Sequence, residues 1–213
     1  MSTTLPLTVR EAIRTRRTTK RFKPDPIPEA TLKELVALTL AAPSSYNLQP
    51  WRIIMVDDPA QKEALTKASW NQAQVATAPV TFVFAVSIRG WEKTLEQTCQ
   101  TALDLGAWTQ KTVDFFLGNI PGFQNGLGER RREYAIKDAI IAATHLALAA
   151  ESLGLNSCFM NGWIEESVKE VIGAKGDPDI AIALLLPIGY GELSYSYAGR
   201  LPENLTVFRN KLA

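Results

Sequence analysis

The stretch VTFVFAVS (Val80–Ser87) decides the fold, because apolar side chains occupy both of its alternating faces. A strand with two apolar faces has to be covered on both sides. Two helices with apolar faces are predicted for that role, at Glu29–Leu40 and at residues 134–153, the second ended by Gly154. The alternation of helices with strands along the chain therefore predicts a central sheet covered by helices.

The remaining predicted elements are shorter. Further strands are predicted in WRIIMV (Trp51–Val56), near NSCFMN (residues 156–161) and in DIAIALLLPIG (residues 179–189). Short helices are predicted after the capping box of Thr8 and Glu11, at residues 61–68 and at residues 165–172. Together with Val80–Ser87, the additional strands supply the central sheet.

Two segments lie outside that simple pattern. Residues 88–133 are polar and aromatic, and they are predicted to form helices plus the loop GNIPGFQNGLGER (residues 118–130). The tail, residues 191–213, is predicted to be extended, and its apolar LTVF (residues 205–208) needs a surface to lie on. We therefore interpret residues 1–213 as a single domain with an excursion at 88–133 and a tail at 191–213.

Composition argues against several classes of protein. The 213 residues are 46% hydrophobic and carry a formal net charge of +1, which suits one compact soluble domain and disfavours a nucleic-acid partner. No apolar run reaches the roughly 18 residues of a membrane span, so no membrane partner is expected. Cys99 and Cys158 make no disulfide framework, and a cytoplasmic location is expected.

The common catalytic motifs are absent from the sequence. It contains neither G-x-x-x-x-G-K-[ST] nor a G-x-G-x-x-G between a strand and a helix. Its His and Cys residues lack the spacing of metal ligands, so no metal is expected. The single histidine, His145, lies inside the apolar helix with Ile141 and Leu148. This position favours a structural role over serine-hydrolase chemistry.

A cationic segment, RTRRTTKR (residues 14–21), places five basic side chains among threonines. Cations at the C-terminal end of a helix complement its dipole by about 0.3–1 kcal/mol each. That effect explains one or two of the five basic residues, but it does not explain well why all five occur together. Arginine forks, a lysine and hydroxyls together make a good receptor for a phosphate monoester.

A polar loop is predicted in APSSYNLQPW (residues 42–51). Its Ser44, Ser45, Asn47 and Gln49 lie between two prolines that stiffen the backbone. Such a loop offers amide and hydroxyl groups to a planar polar ligand. An ordinary Pro-Ser-Asn turn explains the same residues, and the stretch alone does not decide between the two interpretations.

The stretches RRTTKRFKPDPIP (residues 16–28) and LKELVALTLAAPSSYNLQPWRIIMV (residues 32–56) together resemble the N-terminal signature of the nitroreductase family of flavin enzymes. The resemblance continues in SWNQAQVATAPV, GLNSCFMNGW, LLLPIGYGE and GRLPENLTVF, with the middle of the chain weakest. It implies an α+β fold with a mostly antiparallel central sheet flanked by helices. It also implies a homodimer whose subunits exchange their C-terminal tails.

The same resemblance implies one FMN at each of two interface sites, with NADH or NADPH as co-substrate. Carried over by position, the residues that would hold the phosphate are Arg16, Arg17, Thr18, Lys20 and Arg200. Those expected near the flavin ring are Asn71, Gln74, Met160, Asn161 and Gly162. A loop of the second subunit would complete the site with Pro43, Ser44, Ser45 and Asn47.

The implied activity is that of a ping-pong oxidoreductase, which takes hydride from NAD(P)H and reduces a nitroaromatic, a quinone or a similar small acceptor. No side chain is expected to be catalytic, because flavin N5 carries the chemistry. Phe115, Phe116 and Phe123 are expected to line the acceptor pocket, although a core under two helices explains aromatic residues equally well. The alternative is a flavin-binding protein of the same fold that fragments or sequesters flavin or acts as a dehalogenase.

Three positions depart from the pattern of many relatives. Ala198 stands where they carry a second cation near Arg200, Gln74 where some carry lysine, and Asn161 where some carry glutamate. Less positive charge near flavin N1 and O2 stabilises the anionic reduced flavin less. We therefore expect a somewhat lower flavin potential than in lysine-bearing relatives.

Overall fold

The computed structural model describes residues 6–212. Within them a four-stranded sheet has the order β1 (Trp51–Val56), β2 (Val80–Ser87), β4 (Ile180–Gly189) and β3 (Asn156–Ser157). All neighbouring strands in it are antiparallel. Since helices cover the sheet, the expected α+β fold with a mostly antiparallel central sheet is confirmed.

The helices lie between and beside these strands. They are α1 (Val9–Thr15), α2 (Glu29–Leu40), α3 (Pro59–Ala68), α4 (Ala73–Thr77), α5 (Trp91–Asp104), α6 (Gln110–Gly126), α7 (Arg130–Ser152) and α8 (Glu165–Val171). The longest of them, α7, has 23 residues. Its buried face is mostly alanine, which lets it lie close to the sheet.

The central strand β2 is buried along all of its 8 residues. Phe82 and Phe84 face the core that contains the buried alanines of α7. Val83 and Ala85 face a second core, which Leu65 of α3 joins from the other side. The double burial inferred from the apolar pattern of VTFVFAVS is therefore what the structure shows.

Helix α6 differs from the sequence prediction. The sequence predicts a loop at residues 118–130, but α6 continues to Gly126 and contains Pro121. Its residues Val113, Ile120 and Gln124 are buried at helical spacing, and Ile120 belongs to a cluster with residues of α5. The burial of this face outweighs local penalties of about 1 kcal/mol for a glycine and about 3 kcal/mol for an interior proline. The loop prediction is wrong for residues 118–126.

The tail is open to solvent. Residues 191–212 contain one short 3-10 turn, Glu203–Leu205, and no strand. Leu201 is 68% exposed and Val207 is 63% exposed, although both are apolar. Within the described residues 6–212, the apolar side chains of the tail have no covering surface.

Candidate functional site

The cationic segment begins where α1 ends. Thr18 forms a parallel bridge with Ser157 of β3, and the Thr19 amide donates to the Ser157 carbonyl at 3.1 Å. Thr19 is buried at this contact. The backbone of the segment is therefore fixed to the outer edge of the sheet, and its side chains occupy defined positions.

The basic side chains of this segment have different surroundings. Arg16 Nη1 is buried and has no hydrogen-bond partner within residues 6–212. Arg17 Nη1 folds back and donates to the carbonyls of Arg14, Thr15 and Arg16 at 2.7–3.0 Å. A buried guanidinium nitrogen without an acceptor lowers the stability of the fold, because its lost hydration is not replaced. A bound anion would supply the acceptor. Arg16 is therefore placed to bind an anion, whereas Arg17 also closes the C-terminal end of α1.

Lys20 and Cys158 lie next to each other at the same edge. Lys20 Nζ is 3.7 Å from Cys158 Sγ. Burial raises the pKa of the Cys158 thiol, and the positive charges of Lys20 and Arg16 only partly oppose this rise. Since the thiol stays neutral near pH 7, it does not neutralise the two cations. Their charge remains available to an anionic ligand.

Arg200 reaches the cationic segment from the tail. The Tyr197 ring lies between Arg17 and Arg200, whose guanidinium carbons are 4.9 Å and 5.2 Å from its centre. These side chains line an open concavity of about 500 Å³ together with Arg16, Ile13 and Arg14, and the sequence analysis had not assigned Arg14 to the phosphate site. The structure thus brings Arg200 to Arg16 and Arg17 across nearly the whole length of the chain.

A chain of amides lies near these cations. Phe22 N donates to Thr77 Oγ1 of α4 at 3.1 Å, which places α4 beside the cationic segment. Gln74, in α4, donates to Gln72 Oε1 at 2.8 Å, and Gln72 Nε2 donates to the Gly162 carbonyl at 3.2 Å. The structure therefore groups the predicted residue Gln74 with Gly162.

Gly162 lies directly against the Trp70 ring, so a larger residue at this position would displace that ring. A Cβ at position 162 would lie 2.7 Å from the Trp70 ring, closer than side chains approach in folded proteins. Trp70 and Asn71 both have positive φ angles of 56°, so they form a tight left-handed turn beside it. Met160 is buried through a bridge to Leu185 of β4, whereas Asn161 and Asn71 are exposed. The exposed Trp70 was not among the residues predicted from the sequence.

The predicted loop, residues 44–47, lies elsewhere, between α2 and β1. Tyr46, Asn47 and Gln49 have positive φ angles of 52°, 55° and 47°. A left-handed conformation costs about 1–2 kcal/mol for a residue with a Cβ. Ser44 Oγ accepts from the Gln49 amide at 3.0 Å, which helps to hold this conformation. Pro43, at the start of the loop, is exposed.

Asp138 of α7 accepts hydrogen bonds from the loop. It is 4% exposed and accepts from the Ser45 amide at 3.2 Å and from Ser45 Oγ at 3.2 Å. Burial raises the pKa of Asp138, and the two bonds from Ser45 oppose the rise. The sequence analysis did not identify Asp138, because an aspartate in the polar first half of a long helix has the pattern of a solvated residue. A signal was available in its position, with alanines at 135, 139 and 142 on the same helical face.

Aromatic side chains connect the same loop to the excursion. The Tyr46 ring makes edge contacts with Phe116 and Phe123, each with centroids 5.6 Å apart. Phe116 also contacts Trp108 at 4.8 Å, and Phe123 contacts Tyr134 of α7 at 5.6 Å. The predicted pocket residues therefore belong with residues 44–47. Phe115 is 59% exposed and lies at the periphery of this group.

The predicted site residues thus form two separate groups in one chain. The first group, called the cationic cradle below, comprises Arg16, Arg17, Thr18, Lys20 and Arg200 together with Gln74 and residues 160–162. It borders β3, at one edge of the sheet. The second group, residues 44–47 with the aromatic side chains, precedes β1 at the other edge. Three strand spacings of about 4.8 Å separate the two edges by about 14 Å.

Within residues 6–212, no group of three or more His, Cys, Asp or Glu is placed to hold a metal ion. His145 is half-buried within α7. None of the helices in this part of the chain is both long and apolar enough to cross a membrane.

Comparison with known proteins identifies the family. A family model described as the nitroreductase family matches residues 13–190, which include both groups except Arg200. The chain belongs to the nitroreductase family. The resemblance found in the sequence is therefore confirmed.

Relatives within the family have several activities. An NADH dehydrogenase of Thermus thermophilus is 33% identical over 211 residues, covering 98% of this chain and 100% of the relative. A 5,6-dimethylbenzimidazole synthase of Rhodobacter capsulatus is 30% identical over 181 residues, covering 84% of this chain and 82% of the relative.

In structure, the chain is similar to a nitroreductase candidate of Exiguobacterium sibiricum solved in complex with FMN. The TM-score is 0.85 at 22% identity, over 98% of this chain and 100% of the other, so this likeness concerns the fold.

Proposed function

We propose that the protein is an FMN-dependent oxidoreductase that takes hydride from NADH or NADPH and reduces a nitroaromatic, a quinone or a similar small acceptor by a ping-pong mechanism. The observation that carries the proposal is the buried Nη1 of Arg16, which has no hydrogen-bond partner within residues 6–212; Arg16 shares a concavity with Arg200 and lies near Cys158, as Lys20 does. These donors fit a phosphate monoester such as that of FMN. Membership of the family and the names of its relatives support the choice of cofactor.

Bound FMN would supply hydride acceptance and donation at N5 of its ring. The protein would supply position and electrostatics. In this proposal the phosphate is bound by Arg16, Arg17, Thr18, Lys20 and Arg200. The polar edge of the ring is bound by Asn71 and Gln74, and one flank of the ring is contacted by Met160, Asn161 and Gly162. The Gln74–Gln72–Gly162 chain of hydrogen bonds would fix the orientation of the Gln74 amide.

The proposed enzyme is a homodimer with two interface sites. The loop with Pro43, Ser44, Ser45 and Asn47 lies at the opposite edge of the sheet from the cationic cradle of its own chain. A second subunit can bring its loop and the aromatic residues Phe115, Phe116 and Phe123 to that cradle. The acceptor pocket would then form between the two chains, which is a common place for ligand sites.

The tail would cover the partner. Over the face of the edge strand β1 that is turned towards α2 lies a groove of about 600 Å³, whose apolar lining includes Val36, Leu40, Trp51, Ile53 and Met55. The tail offers complementary exposed residues, among them Leu205, Val207 and Phe208. An unpaired strand edge readily accepts an extended segment of another chain. A cytoplasmic location completes the proposal, in line with two free, buried cysteines.

The first test is whether the purified protein carries flavin and is reduced by nicotinamides. We expect a yellow protein with about one FMN per subunit, bleached in anaerobic stopped-flow experiments by NADH or NADPH. Reoxidation by nitroaromatics and quinones should give parallel lines in double-reciprocal plots, as ping-pong kinetics require. A colourless protein that does not bind added FMN would refute the proposal.

A second candidate function is destruction of the flavin itself. The similarity to 5,6-dimethylbenzimidazole synthase, at 30% identity, is nearly as high as that to the NADH dehydrogenase at 33%. In that case reduced FMN incubated with the protein and oxygen would disappear and yield a dimethylbenzimidazole product. Chromatography of the flavin after turnover separates the two functions, because a reductase leaves FMN intact.

A further inference from the structure

Asp138 is a buried carboxylate at the base of the strained loop. Its two oxygens accept from the Ser45 amide at 3.3 Å and 3.2 Å, and one of them also accepts from Ser45 Oγ at 3.2 Å. A carboxylate that is 4% exposed is expensive to bury, so such groups are retained where their bonds matter. Here the amide and the hydroxyl of a single loop residue, Ser45, donate all of these hydrogen bonds.

The loop has few other restraints at its first residues. The Asn47 amide donates to the Ser44 carbonyl at 3.0 Å, and Gln49 Nε2 donates to Asn47 Oδ1 at 3.1 Å, so these bonds stay within the loop. The Tyr46 ring contacts α6, which is itself outside the central cores. Asp138 therefore joins the loop to the rigid helix α7. Tyr134 of the same helix also lies beside Ser45, but Asp138 is the acceptor for both the amide and the hydroxyl of Ser45. Without Asp138, the residue that precedes the left-handed Tyr46 and Asn47 would lose these hydrogen bonds.

We propose that Asp138 is a positioning residue for flavin binding, which holds Ser45 and thereby sets the conformation of residues 44–47 against the flavin of the second subunit. The inference rests on the proposed function. Asp138 would not touch the flavin. Its bonds occupy the Ser45 hydroxyl and amide, so Ser45 contributes backbone position. Asn47 is exposed, and although its Oδ1 accepts from Gln49, its Nδ2 can donate to the ligand.

A matched control exists in the same protein. The carboxylate of Asp179 also binds a serine hydroxyl and a backbone amide, namely those of Ser87 and Arg89, at 2.5 Å and 2.6 Å. It anchors the start of the excursion rather than residues 44–47. Loss of this carboxylate removes the same kinds of hydrogen bond and should lower thermal stability comparably. A purely structural role for Asp138 predicts the same behaviour for both variants.

The experiment is an FMN titration of the dimeric apoprotein, followed by quenching of flavin fluorescence, with Tm measured for each variant. Asp138→Ala should raise the Kd for FMN at least about tenfold, because the Ser45 donors lose their acceptor. Asp138→Asn keeps an acceptor oxygen and should restore the Kd to within about threefold of the wild-type value. Asp179→Ala should leave the Kd within about twofold, although its Tm falls. The visible circular dichroism of the bound flavin should change in Asp138→Ala alone.

Two outcomes would overturn the inference. If the wild-type protein does not bind FMN, the proposed function fails and the inference fails with it. If the wild-type protein binds FMN and Asp138→Ala binds it equally well, only the positioning role is refuted. Should Asp138→Ala not fold, Ser45→Ala decides instead. It removes one of the two bonds and should raise the Kd about threefold, and an unchanged Kd contradicts the proposal.

Discussion

Arg16 and Arg14 differ in burial, although they lie two residues apart and line the same concavity. Arg14 is exposed on α1, whereas Arg16 has a buried guanidinium nitrogen without an acceptor in the described chain. We expect Arg16→Ala to weaken FMN binding at least about tenfold, since a charged hydrogen bond contributes about 1.5–3 kcal/mol. Arg14→Ala should change it less than about twofold. Fluorescence titration of the two apoproteins measures both values, and equal losses would show that the cationic segment acts as a diffuse patch.

Arg17 has two roles in this interpretation. Its Nη1 already binds three carbonyls at the end of α1, so only part of its guanidinium is available to a phosphate. Arg17→Ala should therefore lower Tm as well as flavin retention, and still weaken retention more than Arg14→Ala does. A fall in Tm without any loss of FMN would assign Arg17 to the helix end alone.

Some residues of the candidate site could be predicted from the sequence and others could not. The segment RTRRTTKR and the distant Arg200 could be connected because their order follows a known family pattern. The structure adds that Tyr197 lies between Arg17 and Arg200, at the position before Ala198. The alanines around Asp138 could have indicated that it is buried, but its contact with Ser45 and the contact of Trp70 with Gly162 could not be found in this way, since no local pattern encodes them.

Among the elements, apolar strands and amphipathic helices were the most predictable. The bounds of α2 and β2 match those expected from the sequence, because burial on one or both faces leaves a periodic pattern. β3 was harder, since only Asn156–Ser157 pairs as a strand and Met160 returns to β4 as an isolated bridge. The strand order was not predicted, because periodicity does not say which strands are neighbours; the family resemblance implied only a mostly antiparallel sheet.

The error in α6 has a physical reason. Glycine at 118, 122 and 126 and proline at 121 are local signals for a loop. The face with Val113, Ile120 and Gln124 is nevertheless buried, and the rings of Phe116 and Phe123 pack onto Tyr46. Tertiary contacts therefore stabilise a helix whose intrinsic propensity is low. Such a helix depends on its packing partners, which makes its aromatic residues good targets for mutation.

The three phenylalanines of α6 should behave differently. Phe116 is half-buried between Trp108 and Tyr46, so Phe116→Ala should lower the free energy of unfolding by about 2 kcal/mol, less than the full cost for a core phenylalanine. Phe123 is 41% exposed beside Tyr46. Phe123→Ala should lower kcat/KM for aromatic acceptors about threefold to tenfold, the range of about 0.5–1.5 kcal/mol for an aromatic contact.

Phe115 is the control for the measurement of stability. It is 59% exposed, and its Ala variant should change stability by less than about 0.5 kcal/mol. Denaturant unfolding and steady-state kinetics with a nitroaromatic and a quinone test the series. If kcat/KM for every acceptor stays unchanged in all three variants, α6 does not line the acceptor pocket.

At the scale of the whole molecule, α7 separates the two groups of site residues. Residues 44–47 bind α7 at Asp138, while the cationic cradle lies beyond its C-terminal end, where β3 follows. From Asp138 to Ser152 the helix rises about 21 Å. A site that uses both groups is more readily built from two chains than from one, and this makes the proposed dimer testable by mixing subunits.

A heterodimer with Arg16→Ala in one subunit and Asp138→Ala in the other distinguishes the two arrangements. If each flavin site combines the cradle of one chain with the loop of the other, one site receives both substitutions and the second site receives none. Titration with FMN should then show one site of wild-type affinity per dimer and wild-type turnover at that site. If each chain builds its own site, both sites carry one substitution and no tight site appears. Two affinity tags allow the heterodimer to be isolated, and the two homodimers, each weak in FMN binding, complete the comparison.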